Sequence, residues 1–323
     1  MSVKTSILIA LEGSRDAAVS GQALAEQLGV SRNAVWKAVN ALRAEGYAIE
    51  STQNRGYRLS PIFYRISEIG VRALLADAAV PIFYYDTVDS TMSQSKRLLV
   101  GGEAAPFAVI AGEQTAGRGR QGRAFYSPKD AGLYLTVALA PGQAIAGALG
   151  VTAYAAVCVA DAVLAATGLQ PRIKWVNDLY LNGRKVCGIL TEATTDLETG
   201  TVESLLIGVG LNLRASDVPE PLRDIVGFLH YEAPVKNRLA AEIIKGLLRY
   251  TPTNAAYLSR YRELSLTLTR RVACSAGGME WVGVAEAIDE SGALLVRDDG
   301  GVLHAVRSGE ARVLPDPNAT AHG

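Results

Sequence analysis

Cysteine and histidine are scarce in this chain, with three of each among 323 residues. Cys158, Cys187 and Cys274 are odd in number and widely separated, so they provide no disulfide framework. Neither they nor the histidines have the spacing of zinc ligands, which argues against a His/Cys metal centre. Such cysteine usage is typical of a reducing compartment, and we therefore predict a cytoplasmic protein.

Net charge and long apolar runs are also missing. The 32 Lys/Arg residues balance the 32 Asp/Glu residues, which argues against binding nucleic acid over the whole surface and leaves room only for local basic faces. The longest apolar stretch, residues 151–166, contains Asp161 and is predicted to be too short to span a bilayer. The apolar stretch within residues 1–13 is too short for a signal peptide, so we predict no membrane association. The length predicts about two domains and a small module.

The densest functional signal is the sequence GRGRQGR at residues 117–123. Its three glycines let the backbone fold closely, and its three arginines have no acidic neighbour inside the stretch, which favours a bound anion. The letters also fit G-x-G-x-x-G, but β-like runs at 107–114 and 133–139 flank the loop and no helix is predicted to begin there, which excludes a Rossmann reading. We predict a strand–loop–strand flap over a phosphate or carboxylate. The alternative is a solvated basic surface loop.

Two short helices joined by a three-residue turn are predicted near the N-terminus. Ser20 and Ser31 are placed to cap them, and the second helix runs to about residue 45. Val35, Val39 and Leu42 recur on one face of that second helix, which predicts that this face is buried. The arrangement is typical of a helix-turn-helix unit whose second helix enters the major groove.

The remaining features of residues 1–60 support DNA binding over simple helix packing. Two β-like runs, 47–49 and 57–59, bracket a polar turn and predict a wing. The net charge of this stretch is only +2, so contacts must come from specific exposed side chains. The predicted DNA-binding residues are Ser31, Arg32, Asn33, Trp36, Lys37, Asn40 and Arg55.

A larger α/β segment follows, and its first functional signal is Asp89-Ser90-Thr91-Met92 after a β-like run at 81–85. Thr91 and Gln94 fit a capping box, which predicts a helix N-terminus. Ser90 and Thr91 would then present hydroxyls and free N–H groups to a polar ring. The alternative is that both are only caps.

A pair of lysines forms the second signal. Residues 172–180 read as one apolar strand, in which Lys174 and Asp178 are costly to bury unless they meet a ligand, a metal or each other. Asn182-Gly183 predicts a type I′ turn that would bring Lys185 onto a strand next to Lys174. Either lysine alone would fit an exposed strand edge. Together with the arginine-rich flap they predict a site for a highly anionic substrate.

The rest of the chain completes an α+β, multidomain fold. We predict a strand at 202–209, helical periodicity from 239 to about 258, and a small β-barrel-like module of short strands from 270 to 314. The predicted domains are a winged helix-turn-helix over 1–60, a mixed α/β domain over 61–264, a β module over 265–315 and a disordered tail over 316–323.

These motifs together resemble the bifunctional biotin–protein ligases that also repress the biotin operon. Five signatures in the same order carry the resemblance: residues 89–91, 117–123 after Gln114, 174–180, Lys185 with 188–190, and 208–212. Residues 308–310 also resemble the C-terminal signature of the family. The resemblance covers nearly the whole chain. It implies a class II synthetase-like catalytic domain and an SH3-like C-terminal barrel.

The resemblance implies a reaction and its partners. Biotin and ATP, with Mg²⁺, would give biotinyl-5′-AMP, and biotin would pass to a lysine of the biotin carboxyl carrier protein of acetyl-CoA carboxylase or a similar carboxylase. Biotinyl-5′-AMP would also act as co-repressor, promote a homodimer and strengthen binding to operator DNA.

The resemblance also implies roles for individual residues. Arg120, Lys174 and Lys185 would be catalytic, Asp178 would bind the metal, and Phe125 or Tyr126 would flank the adenine. The biotin-binding set is Ser90, Thr91, Met92, Gln114, Arg118, Gly119, Arg120, Lys185 and Gly188. The nucleotide-binding set is Arg118, Arg120, Arg123, Lys174, Asn177 and Asn212.

Three positions depart from the pattern of the family. Met92 stands where many relatives have a polar residue, Gln121 where a basic residue is common, and Val176 where proline is usual. The rival functions are a lipoate or octanoate ligase, which would not be expected to have the winged helix or the GRGRQGR sequence, and a biotin-sensing transcription factor without catalysis.

Overall fold

A computed structural model describes most of the chain. The described residues are 2–15, 17–52, 55–60, 66–75, 80–141, 148–195, 201–214, 217–230, 235–251 and 254–315. The predicted disordered tail at 316–323 and the tip of the predicted wing, residues 53–54, lie outside the described residues.

The N-terminal unit is a three-helix bundle with a two-stranded antiparallel hairpin. Its elements are α1 (Val3–Gly13), α2 (Gly21–Leu28), α3 (Arg32–Ala44), β1 (Ile49–Thr52) and β2 (Gly56–Leu59). The sequence predicted α2, α3 and the hairpin but missed α1. Its signal was present, because Ser2 caps the helix and Ile7, Leu8 and Leu11 form a fully buried stripe.

The predicted capping and burial of the helix-turn-helix are confirmed. The hydroxyls of Ser20 and Ser31 accept hydrogen bonds from the backbone N–H three residues on. Gly29 has φ of +62°, the left-handed conformation that glycine adopts most easily, and so ends α2 tightly enough for α3 to begin. Val35 and Val39 are fully buried in the core of this unit.

A seven-stranded mixed sheet forms the central domain. Its strands are β3 (Ile82–Val88), β4 (Phe107–Gln114), β5 (Gly132–Leu139), β6 (Arg172–Lys174), β7 (Asp178–Leu181), β8 (Arg184–Thr195) and β9 (Val202–Asn212). The order is β3-β4-β5-β9-β8-β7-β6, in which only β3 and β4 are parallel. The predicted runs at 107–114 and 133–139 match β4 and β5 closely.

Two predictions about this sheet are wrong. Residues 172–180 do not form one strand, because the chain turns between Lys174 and Asp178 and places these two residues opposite each other on β6 and β7. Lys174 and Lys185 are therefore not on neighbouring strands, since β7 lies between β6 and β8. The predicted turn at Asn182-Gly183 is confirmed, with φ values of +50° and +76°.

Helices cover both faces of the sheet. They are α4 (Glu68–Leu75), α5 (Thr91–Val100), α6 (Ala148–Thr167), α7 (Lys236–Leu248) and α8 (Tyr257–Leu264). Alternate residues of β4 point to opposite faces: Ala108 belongs to the large core with α6 and α7, whereas Phe107 belongs to the smaller core with α5. The single helical stretch predicted from 239 to 258 is wrong, because α7 and α8 are separate helices.

Helix α6 extends beyond the apolar stretch of residues 151–166 at both ends. Its stretch from Leu149 to Thr167 is long and apolar enough to cross a membrane by length and composition, so the prediction that it is too short is wrong. Most of that stretch is nevertheless buried inside the central domain, packed against the sheet and α7. It is a core helix of this domain.

The C-terminal module is an antiparallel sheet of five strands. They are β10 (Arg271–Ala276), β11 (Met279–Ile288), β12 (Leu294–Asp298), β13 (Leu303–Val306) and β14 (Glu310–Val313), in the order β13-β12-β11-β10-β14. The module is joined to the central domain beside the β6–β7 turn, where the indole Nε1 of Trp175 donates to the carbonyl of Gly292 at 3.0 Å.

Candidate functional site

A cavity of about 570 Å³ lies on the α5 face of the central sheet. Its walls come from α5, the flap, strands β6 to β9, residues 222–226 and the start of β14. The structure brings together every residue that the sequence predicted for small-molecule or metal binding. They are Ser90, Thr91, Met92, Gln114, Arg118, Gly119, Arg120, Arg123, Lys174, Asn177, Asp178, Lys185, Gly188 and Asn212.

A polar network forms one end of the cavity. The Thr91 backbone N–H and hydroxyl both donate to Oε1 of Gln114, at 2.8 and 3.1 Å, and the Gln114 amide donates to Ser127. Thr91 accepts in turn from the buried hydroxyl of Thr136. The predicted capping box is therefore wrong, because Thr91 is inside α5 and the Gln94 amide donates to Tyr85 instead. These hydrogen bonds hold the side chains of Thr91 and Gln114 in place beside the N-terminus of α5, at the wall of the cavity.

The neighbouring wall is apolar. Met92 is almost fully buried in a cluster with Phe107 and Leu206. A Cβ added to Gly208 would lie 3.0 Å from the Met92 methyl group, so the glycine leaves just enough room for this side chain. A ring with polar edges and an apolar body would match this combination of Thr91, Gln114 and Met92.

Two facing glycines make a trough in the sheet. Gly188 on β8 is paired with Gly210 on β9, and the ring of Phe125 lies over both. A Cβ on Gly210 would be 2.4 Å from the Phe125 ring, and one on Gly188 would be 3.1 Å from it. The missing side chains thus allow an aromatic ring from the flap region to lie directly on the sheet. Tyr126 also lines the cavity and donates from its hydroxyl to the Asp217 carbonyl.

The flap is a narrow hairpin rather than a helix start. The Gly119 N–H donates to the Arg123 carbonyl at 2.7 Å, and the Phe125 N–H donates to the Gly117 carbonyl at 2.9 Å. A single 3₁₀ turn covers Arg120–Gly122 at its tip. The strand–loop–strand prediction is confirmed, with this short turn as the addition.

The flap arginines reach the opposite wall. Arg120 donates to Oδ1 of Asn177 at 3.2 Å and to the Gly309 carbonyl at 3.3 Å. Arg123 forms an ion pair with Glu310 on β14. Both arginines therefore connect the flap to residues far away in the sequence, while lining the same cavity.

Lysine and aspartate side chains provide further charge beneath the flap. Nζ of Lys185 lies 2.7 Å from Oδ1 of Asp178, and both side chains are mostly buried. Lys174 Nζ lies 5.8 Å from the centre of the Tyr180 ring. Burial, and secondarily the Asp178 charge, raise the pKa of Tyr180 to about 12, so its hydroxyl stays neutral. The part of the cavity beneath the flap thus contains two ammonium groups, of Lys174 and Lys185, and one carboxylate, of Asp178.

Sequence reasoning missed part of the wall. Leu222, Ile225 and Val226 line the cavity, and the Lys185 N–H donates to the Ile225 carbonyl at 2.9 Å. Arg312 on β14 also lines it. The segment 222–226 has no sequence motif of its own, and its pairing with β8 places it at the site. Residues 308–310 resemble the C-terminal signature of the family, but the sequence did not predict that Gly309 and Glu310 line the cavity.

Comparisons with known proteins identify all three parts of the chain. Family models match three regions: an HTH domain at residues 3–58, the biotin/lipoate A/B protein ligase family at 84–212, and a biotin protein ligase C-terminal domain at 270–313. The bifunctional ligase/repressor BirA of Bacillus subtilis is 32% identical over 88% of this chain and 90% of its own length. That of Escherichia coli is 33% identical over 87% of this chain and 88% of its own.

The chain belongs to the family of bifunctional biotin ligases and repressors. A solved biotin protein ligase from Aquifex aeolicus, in complex with biotin and ATP, has the same fold, with a TM-score of 0.62 over 73% of this chain and 99% of that chain. Its sequence identity is 23%, so this likeness concerns the fold alone.

The metal expected in this family fits the residues present. Oδ1 of Asp178 is buried and, among the described residues, accepts no hydrogen bond of good geometry, although Lys185 lies at ion-pair distance from it. No group of three or more His, Cys, Asp or Glu side chains within the described residues could hold a metal ion by itself. Mg²⁺ commonly uses one or two carboxylates together with substrate phosphates, which suits a single buried carboxylate in a cavity lined by basic side chains.

Most of the predicted DNA-binding residues are accessible on α3 of the N-terminal unit. Arg32, Asn33, Trp36 and Lys37 are exposed on α3, and Trp36 is 53% exposed although it is aromatic. Ser31 is exposed but its hydroxyl caps α3, Arg55 is exposed at the wing, and Asn40 is half-buried and accepts from Arg43. The exposed α3 face remains a predicted contact surface for DNA.

The signature aspartate Asp89 stabilises the start of α5 in a pH-dependent way. Hydrogen bonds from Arg97 lower the pKa of Asp89 to about 2 from an ordinary value of 3.8. Because the pKa of the folded state is the lower one, this stabilisation is present above about pH 3.8 and is lost as the pH falls towards 2. Both side chains are about half exposed, so screening limits its size to under about 1 kcal/mol.

We expect Asp89→Asn to lower the free energy of unfolding near neutral pH, with a difference from wild type that shrinks as the pH approaches about 3. Urea denaturation at several pH values measures this difference. A difference that is constant from neutral to acid pH would contradict the assignment of the shift to Arg97.

Proposed function

We propose that this chain activates biotin with ATP to biotinyl-5′-AMP and transfers biotin to a lysine of a biotin carboxyl carrier protein, as a biotin–[biotin carboxyl-carrier protein] ligase. The observation that carries the proposal is the cavity itself. One end of the cavity is polar at Thr91 and Gln114 and apolar at Met92. The other end is cationic, with Arg120 and Lys185. A neutral ring followed by a carboxylate and phosphates would fit in that order.

The ring end would be held by hydrogen bonds. Ser90, which is buried at the α5 N-terminus, and Thr91 and Gln114 would contact the ureido ring, while Met92 packs against its apolar part. Gly188, whose missing side chain lets Phe125 and Lys185 approach β8, would lie beside the valeryl chain. The carboxylate then meets Lys185, Arg118 and the Gly119 backbone.

The nucleotide would lie beneath the flap. We propose that Phe125 stacks on the adenine. Its ring lies over the Gly188–Gly210 trough, on the side of the sheet that faces the cavity. The phosphates are balanced by basic side chains on both walls of the cavity. Those in contact with the nucleotide would be Arg118, Arg120, Arg123, Lys174, Asn177 and Asn212.

The chemistry requires positioning and charge rather than a covalent enzyme intermediate. A biotin carboxylate oxygen attacks the α-phosphorus, a mixed anhydride forms, and pyrophosphate leaves. Arg120, Lys174 and Lys185 stabilise the charge that builds on the phosphoryl oxygens. Lys185 would exchange Asp178 for the substrate anion, and Asp178 would hold Mg²⁺, which neutralises phosphate charge when bound.

Transfer completes the reaction. The neutral amine of the carrier lysine attacks the acyl carbon of the anhydride, AMP leaves with the bonding electron pair, and the amine loses a proton. The hairpin of the flap, held to Asn177 and the Gly309 carbonyl by Arg120, would exclude water from the anhydride.

Incubation of the purified protein with biotin, ATP, Mg²⁺ and a carrier domain tests the proposal. We expect biotin on the carrier lysine and no product with lipoate or octanoate. Transfer of lipoate or octanoate instead of biotin would assign the chain to the related ligases. Biotin binding without transfer would identify a sensor that lacks catalysis.

We further propose a cytoplasmic repressor that binds operator DNA as a homodimer. Residues 1–60 have a net charge of only +2, which is too little in one copy for tight binding by electrostatics alone, and two copies would read two half-sites. Biotinyl-5′-AMP would promote the dimer through strand edges of the catalytic domain beside the flap, and carrier protein would compete by using that same face of the catalytic domain. Sedimentation with and without biotin and ATP measures the first effect, and a gel-shift titration with carrier domain measures the second.

The α3 face gives a separate prediction. We expect Arg32→Ala combined with Lys37→Ala to weaken operator binding and to lower the slope of log K against log salt by about 2, since each phosphate contact contributes about 0.9. Lys129→Ala, which removes an exposed charge outside this face, should leave the slope unchanged. DNA selected from a random pool by the wild-type protein supplies the probe. An unchanged slope in the double variant would place the DNA elsewhere.

A further inference from the structure

A buried polar joint connects the N-terminal unit to the central domain. The carboxylate of Glu12, at the end of α1, is almost fully buried. It accepts from Nδ2 of Asn237 on α7 at 2.7 Å and from two nitrogens of Arg15 at 2.6 and 2.8 Å. A buried carboxylate is costly unless it is paired, so this contact selects one arrangement of the two domains over others.

Asn237 uses both ends of its amide in this joint. Its Oδ1 accepts from the Ser67 backbone N–H at 3.1 Å, and the Ser67 hydroxyl accepts from the Gly70 N–H at the start of α4. Asn237 itself is 3% exposed. The side chain therefore connects three elements at once: α1 of the N-terminal unit, α4, and α7 of the central domain.

Both sides of the joint are rigidly supported. Helix α1 contributes Ile7, Leu8 and Leu11 to the same core as the recognition helix α3, so holding the end of α1 holds α3. On the other side, the buried ammonium of Lys236, the neighbour of Asn237, donates to the Asp130 carbonyl at 2.6 Å, just before β5. The joint thus connects the DNA-binding face to the central sheet through packed groups.

We propose that Asn237 and Glu12 form an interdomain latch that sets the orientation of α3 relative to the catalytic domain, and that tight operator binding requires this latch whereas adenylate formation does not. The inference rests on the repressor function proposed above. If the orientation of α3 is already fixed, less conformational entropy is lost when the two recognition helices of a dimer bind two half-sites. Operator binding is therefore tighter than with a freely moving N-terminal unit. The cavity residues take no part in the latch, so the chemistry should not depend on it.

Two variants break the latch in different ways. Asn237→Leu removes the donor and the acceptor at similar volume. Gly70→Ala leaves every polar group in place, but its Cβ would lie 2.2 Å from Asn237 Nδ2 and 2.9 Å from Glu12 Oε1, so it wedges the pair apart. Arg238→Ala is the matched control, because Arg238 is the next residue of α7 and is exposed.

The first measurement is the distance distribution between spin labels on α2 (Gln27→Cys) and on β9 (Glu203→Cys), in a Cys158→Ser background. We expect one narrow distribution for wild type and Arg238→Ala, and a broad one for both latch variants. This measurement uses neither biotin nor DNA, so it tests the Asn237–Glu12 contact independently of operator binding. If wild type binds no operator, that result contradicts the repressor function but not the latch. Narrow distributions in both latch variants would overturn the proposal.

The second measurement compares operator affinity with biotinyl-5′-AMP formation in the same full-length proteins. We expect both latch variants to lose about tenfold in operator affinity, or roughly 1.4 kcal/mol, while adenylate forms at the wild-type rate. Wild-type operator affinity in both variants would overturn the proposal, and so would a loss of adenylate formation in parallel with operator affinity. The latter would identify the joint as support for the catalytic domain only.

Discussion

Lys185→Ala should lower the rate of biotinyl-5′-AMP formation by roughly ten- to a hundredfold. The ammonium is mostly buried in the cavity, and a charge-assisted contact of this kind contributes about 1.5–3 kcal/mol. The variant also leaves the Asp178 carboxylate without its ion-pair partner, which adds to the loss. Pyrophosphate release with saturating biotin and ATP measures the effect.

Two comparisons make this result specific. Lys129→Ala removes an exposed lysine outside the cavity and should release pyrophosphate at the wild-type rate. Asp178→Asn removes the other charge of the pair and should raise the Mg²⁺ concentration needed for activity. Wild-type pyrophosphate release by Lys185→Ala would place Lys185 outside the reacting part of the site.

The trough at Gly210 leads to the second large expected effect. Gly210→Ala would place a methyl group 2.4 Å from the Phe125 ring. Strand β9 is paired with β5 on one side and β8 on the other, so we expect the ring rather than the strand to move. Returning the ring to its place over the trough to stack on ATP would then cost about 1–3 kcal/mol of overpacking, so we expect kcat/KM for ATP to fall by roughly five- to a hundredfold. The thermal midpoint should change little, since Phe125 is only partly buried and can swing outward.

A double-mutant cycle with Phe125→Ala separates this clash from other causes. If the methyl group acts by displacing the ring, Gly210→Ala should cost little more once the ring has been removed. Steady-state kinetics with ATP varied at saturating biotin give the four values of the cycle. Additive losses would show that Gly210 acts independently of Phe125.

The sequence was most informative where local chemistry decides the structure. Capping by Ser20 and Ser31, the apolar stripe of α3 and the turn at Asn182-Gly183 each depend on residues close in the chain, and all three are confirmed. The flap followed from its glycines and arginines together with the β-like runs on both sides of it. The whole predicted set of small-molecule residues lines one cavity because the family signatures mark the ends of adjacent strands and of α5.

The failures arise where tertiary contacts decide. The stretch 172–180 looks like one strand, but the chain turns after Lys174, and the turn is held from outside by a Thr267 hydroxyl that accepts from the Trp175 N–H. A short run of apolar residues is buried alike in a strand and in a tight turn, so hydrophobic periodicity cannot distinguish the two. Residues 222–226 and the Asn237–Glu12 contact depend on pairing between distant segments, which one sequence cannot reveal.

The central claim is that one cavity both makes the adenylate and passes biotin on. The most direct measurement mixes the protein with biotin and ATP labelled at the α-phosphate, without acceptor, isolates the complex, and then adds the carrier domain. We predict a stable protein-bound biotinyl-5′-AMP that releases one labelled AMP for each biotin gained by the carrier lysine. Biotinylation that needs fresh ATP after isolation, or a complex that holds no labelled adenylate, would contradict the account.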